Sequence, residues 1–79
     1  MDKNIISASY SMKGGVLDDD YILYEDGSVL HEYDNNIYPN GQNLKTHLDG
    51  KTLPSAIKFR LLESATMEHK ELVKKLLDL

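Results

Sequence analysis

The sequence predicts an α+β fold: a three-stranded antiparallel meander followed by a short helix and two main helices packed on one face of the sheet. Three observations carry that expectation. Glu25-Asp26-Gly27-Ser28 separates two apolar, β-branched and aromatic runs in Tyr21–Tyr33, and an Asp-Gly there is a strong hairpin signal. Residues 4–12 alternate with period two, as a strand with one buried face does. Beyond Thr52 the apolar residues fall at helical spacing.

The first strand is expected over about 4–12, with Ile6, Ala8, Tyr10 and Met12 on one side and Ser7, Ser9 and Ser11 on a wet side. Gly14-Gly15 ends it in a loop. The second and third strands cover about 19–25 and 28–34. Their register has two solutions. A two-residue Asp26-Gly27 turn sets Leu23 opposite Leu30; a three-residue turn with Gly27 left-handed sets Leu23 opposite Val29 and Ile22 opposite Leu30. The second is preferred, because it gathers Tyr21, Leu23, Val29, His31 and Tyr33 on one face.

After a polar loop, Asn43 is placed to cap a short helix, Leu44 to Asp49, closed by Gly50. Thr52 caps a second helix over about 53–65, with Pro54 in its first turn. Leu53, Ile57, Leu61 and Ala65 share one face of it while Phe59 and Leu62 point elsewhere, so it needs cover on two sides. The last helix, about 67–77, is amphipathic, with Leu72, Val73, Leu76, Leu77 and Leu79 on one arc and Glu71 spaced to meet Lys75.

Composition bounds the function. Seventy-nine residues suggest a single domain over 1–79 near the lower limit for a self-sufficient core, and the absence of cysteine removes disulfides, thiolate ligands and a Cys nucleophile. No run approaches the roughly 18 apolar residues of a membrane span. The start, Met1 to Ser7, lacks a signal-peptide core, which predicts a cytoplasmic protein. The net charge of −4 is uneven: residues 1–40 hold eight acids against two lysines, and residues 41–79 five acids against seven bases. An acidic sheet disfavours nucleic acid and favours a basic partner.

The acids concentrate at the open end of the hairpin. In the preferred register Asp20 faces Glu32 and Asp18 faces Asp34, and such like-charge pairs weaken a sheet by up to about 1 kcal/mol each. Something should compensate: a basic protein surface, or a hard cation held by carboxylates, although no EF-hand spacing occurs. Solvated, screened surface charge is the bland alternative. All five tyrosines, Tyr10, Tyr21, Tyr24, Tyr33 and Tyr38, lie in the same half of the chain, and tyrosine recurs at interfaces.

Catalytic patterns are lacking. His31, His47 and His69 are dispersed without metal-ligand spacing, and no nucleophile elbow, P-loop or dinucleotide fingerprint occurs. The expected function is a small non-enzymatic domain without cofactor. It would bind a basic protein through Asp18, Asp19, Asp20, Tyr21, Glu32, Tyr33, Asp34 and Tyr38. The sharper form is an inhibitor that mimics nucleic-acid charge, an analogy of size and charge and not of motif. Two alternatives stand beside it: a homodimeric accessory subunit joined through Phe59 and Leu62, and a cation-binding regulator using the acidic cluster.

Overall fold

Among the described residues, 4–79, the computed structural model holds five antiparallel strands and two helices. In chain order these are β1 (Ile5–Ser9), β2 (Met12–Lys13), β3 (Leu17–Tyr24), β4 (Ser28–Tyr33), β5 (Leu44–Asp49), α1 (Ser55–Ser64) and α2 (Lys70–Leu77). The expectations drawn from Met1 to Lys3 lie outside the described residues.

The β3–β4 hairpin takes the three-residue turn. Leu23 stands opposite Val29 and Ile22 opposite Leu30, and Gly27 has φ +88°, a region that glycine enters without steric cost. Asp26 stabilises the turn by accepting from the Ser28 amide at 2.9 Å and from its hydroxyl at 2.6 Å.

The meander is longer than expected. Residues 44–49 form not a short helix but strand β5, paired with β4 from Ser28–Asp49 to Tyr33–Leu44. Leu44, Thr46 and Leu48 alternate with Lys45, His47 and Asp49, a period-two pattern, and β4 offers a free ladder for them. Asn43 is no helix cap; at φ 56° it turns the chain into the strand, its amide donating to Asp34 Oδ1 at 2.8 Å.

The first strand is broken rather than continuous over 4–12. β1 pairs with the end of β3 and β2 with its beginning, with Tyr10 and Ser11 between them. A bulge lies between Ile5 and Ser7, and Ile6 packs against the core. The serine side is not wet: Ser7 and Ser9 are buried, whereas Tyr10 and Met12 are exposed. Small side chains there let α1 come close. Ser7 Oγ–H donates to the Leu61 carbonyl, and Ser9 Oγ accepts from Arg60 Nε at 3.1 Å.

Both helices begin later than expected, at Ser55 and Lys70 rather than at about 53 and 67. Pro54 occupies the N-cap position of α1, and the Thr52 hydroxyl bonds back to the Asp49 carbonyl at 2.8 Å. The Thr66 carbonyl accepts from the His69 and Lys70 amides in a turn before α2. Glu71 meets Lys74 at 3.6 Å instead of Lys75, an exposed pair of little energetic weight. The core lies where the helices cover the turn end of the sheet: Leu23, Val29, Leu61, Val73 and Leu77 are fully buried, joined by Leu53 and Ala65. Gly50 closes that end, its amide donating to the Gly27 carbonyl at 2.9 Å.

Candidate functional site

The face of the sheet that buries Leu23 and Val29 continues away from the turn as Tyr21 and Asp19 on β3 and His31 and Tyr33 on β4. Here packing gives way to polar contacts. The rings of Tyr21 and His31 stack at 4.2 Å and 4° across the strands, and His31 stacks on Tyr33 at 4.5 Å and 23°. The cross-strand pair is held by register, and the second pair by period two along β4. Thr46 on β5 extends the row with a hydroxyl contact to Tyr33 OH at 3.4 Å.

Asp19 is the anchor, only 8% exposed. Its Oδ1 lies 2.7 Å from His31 Nε2 and its Oδ2 accepts from Arg60 Nη1 at 3.2 Å. Arg60 also donates through Nη2 to the Asp19 carbonyl at 2.9 Å, and its guanidinium sits 5.1 Å from the Tyr21 ring centre. Burial pushes the Asp19 carboxyl up, but hydrogen bonds from His31 and Arg60 outweigh it, and the net shift is downward. Tyr21 is pushed up, by burial first and by the Asp19 charge second, against Arg60. In this arrangement the faces of His31 are taken by two rings, its Nε2 by Asp19, and the Ser9 hydroxyl by Arg60.

The other acids occupy the opposite side or the rim. Asp20 stands opposite Glu32, and Glu32 opposite Lys45, on the face without helices. Asp20 Oδ1 accepts from the Ser11 amide at 3.1 Å. Asp34 accepts from the amides of Asp18 at 3.0 Å and Asn43 at 2.8 Å, which hold its carboxyl below the ordinary aspartate value. Part of the crowding penalty is therefore relieved inside the chain, by backbone N–H donors and by Arg60. Among the described residues no three His, Asp or Glu side chains converge in a way that could hold a metal ion.

The structure brings Asp18, Asp20, Glu32 and Asp34 together at one end, with Tyr38 exposed in the loop that follows. It withdraws Asp19 into the interior and leaves Tyr21 and Tyr33 half-buried in the ring stack. Large apolar side chains gather at the same end: Met12 lies on β2 and Val16 in the turn to β3, Tyr10 precedes them, and Ile37 and Tyr38 lie in the 34–43 loop. Phe59 projects from α1 at 52% exposure, whereas Leu62 packs against the core. Two shallow depressions of about 350 and 330 Å³ flank the Gly27 turn, at the opposite end, lined by Asp26, Asp49 and Lys51 among others.

Arg60 is invisible in the sequence as a partner of Asp19, and Ser9 as a partner of Arg60, since each lies on a different element. The parity of β3 was a usable signal: Asp19 shares the side of Tyr21 and Leu23. No helix among the described residues is long and apolar enough to cross a membrane. Comparison of the chain with protein-family models, curated proteins and solved structures returns no match, so the reading of this end of the sheet rests on its geometry.

Proposed function

We propose that this chain is a small, non-enzymatic protein-binding domain that engages a basic partner through the open end of the β3–β4 hairpin. One observation supports it above the others: Asp18, Asp20, Glu32 and Asp34 are rimmed by the exposed side chains of Tyr10, Met12, Val16, Ile37 and Tyr38. Exposed large apolar residues around a group of like charges give a contact surface both its steering field and its burial. The contact set is Asp18, Asp20, Glu32, Asp34 and Tyr38, with Asp19, Tyr21 and Tyr33 shaping the scaffold beneath. The sharper form is an antagonist of a nucleic-acid-binding protein, since acids in a row on a strand pair present a charge pattern that a phosphate-binding surface accepts.

The non-enzymatic reading is supported by the engagement of His31 Nε2 with Asp19 and of the Ser9 hydroxyl with Arg60, which leaves these two side chains committed to structural contacts. The test is a pull-down at low and high salt with the native chain and with Asp18→Asn, Asp20→Asn, Glu32→Gln combined. Capture of a basic protein that fades with salt and is lost in the variant is the expected outcome. Recovery indifferent to the three substitutions overturns the assignment of this end.

A further inference from the structure

The two outer margins of the sheet are unlike. β5 carries Lys45, His47 and Asp49 on its exposed face, and charges on an edge strand discourage pairing with another strand. At the other margin the run Ile5–Met12 contains no charged residue, no proline and no glycine. Its guards are a bulge after Ile5 and the break at Tyr10–Ser11. Ile5, Tyr10 and Met12 are 56%, 70% and 54% exposed along it.

The free backbone groups follow from the pairing. The Asp19 amide donates to the Ser11 carbonyl, and Ser9 and Ser7 stand opposite Tyr21 and Leu23. By alternation, the N–H and C=O of Ser7, Ser9 and Ser11 point to β3, and those of Ala8 and Tyr10 point outward. Among the described residues no strand pairs with that side.

We propose that this margin pairs with the same margin of a second copy of the chain, antiparallel about a twofold axis at Ser9, so that two sheets become one. Outward groups must meet outward groups, which places Ala8 of each copy opposite Tyr10 of the other, each pair exchanging both N–H···O=C bonds. The exposed Tyr10 ring then covers the small Ala8 of its neighbour on the face away from the helices. The axis runs perpendicular to the sheet, so both helical layers lie on the same side. A second copy is the occupant because the strip is self-complementary about Ser9, large at one end and small at the other. It is also the margin at which two molecules of net charge −4 meet without opposing carboxylates. Arg60, which reaches Ser9 from the helix side, is already matched by Asp19. Pairing covers Tyr10 and the Met12 margin but leaves Asp18, Asp20, Glu32, Asp34 and Tyr38 accessible. It rests on the margin alone, not on the binding role proposed for those residues.

Sedimentation equilibrium of the full chain tests the pairing. The native chain should sediment as a dimer. Tyr10→Lys puts a cation at each paired edge where the side chain is already exposed, so circular dichroism should stay native while the dissociation constant rises by about tenfold or more. Ala8→Arg should act in the same direction, and His47→Glu on β5 should leave the dimer unchanged. A native chain that is monomeric at millimolar concentration overturns the proposal. So does a dimer that survives Tyr10→Lys, or one that His47→Glu weakens equally.

Discussion

Arg60 grips Asp19 at two points, the carboxylate at 3.2 Å through Nη1 and the main-chain carbonyl at 2.9 Å through Nη2. The contact joins α1 to β3 at the place where apolar packing ends. With the Asp19 side chain 11% exposed and that of Arg60 26%, it is a partly buried pair whose members depend on each other. Arg60→Met leaves a carboxylate with His31 alone and should cost about 2–3 kcal/mol in urea unfolding. Arg60→Lys should recover only part of that, because one ammonium cannot span both oxygens. An unfolding midpoint unchanged in Arg60→Met would remove Asp19 from the stability of the fold.

Acid should expose the same contact. Asp19 is held below its ordinary value when folded, burial notwithstanding, by His31 and Arg60; Asp34 is held down by two backbone amides. A carboxyl whose folded value lies below its unfolded one adds stability above the unfolded value, near pH 4, and loses it as pH falls through the folded value. Stability should thus decline as pH falls below about 4. In Asp19→Asn and Asp34→Asn the native chain's slope over that range should flatten, as followed by denaturant melts at a series of pH values.

Gly50 is required for space, not for backbone freedom. A Cβ there would meet the Gly27 carbonyl oxygen at 2.8 Å and Leu77 Cδ2 at 2.8 Å, one of them main chain in a tight turn. Gly50→Ala should destabilise by about 1–3 kcal/mol through overpacking. Gly14→Ala, with nothing within 4 Å of its Cβ, should cost only the strain of φ +59°, about 1 kcal/mol. Thermal melts of the two variants side by side check the ranking.

The Ser7 hydroxyl satisfies the Leu61 carbonyl, which lies near the C-terminal end of α1. The amide of Ala65, four residues on, turns instead to Leu62. Ser7→Ala should cost about 1–2 kcal/mol by leaving a buried acceptor without its donor. Ser11→Ala, at an exposed position, should be nearly silent.

How much of this could be read from the chain depended on the reach of each signal. The hairpin register was legible because the Asp26-Gly27 turn and the strand pattern beside it are local. Strand β5 was misread as a helix because Asn43, Gly50 and the i,i+4 spacing of Leu44 and Leu48 imitate caps and a helical face, whereas its true determinant is the free side of β4. Ser7 and Ser9 read as wet because their partners, Leu61 and Arg60, lie more than fifty residues away in sequence. For the acidic end, the charge opposition was visible in advance, but the donors that relieve it are backbone amides, which leave no mark in a sequence, and Arg60, which lies 41 residues from Asp19.

The separation between Ser7 and Leu61 also orders the chain in time. The strand pairs join neighbours across short connections, which close within microseconds. The Ser7–Leu61 bond joins residues 54 apart in sequence and can form only when α1 docks on a strand made at the other end of the molecule. Until then β1 is an uncharged ribbon with both the serine side and the outer margin open. A nascent chain in that interval is at its most adhesive, and the arrival of α1 closes the serine side, leaving only the outer margin open.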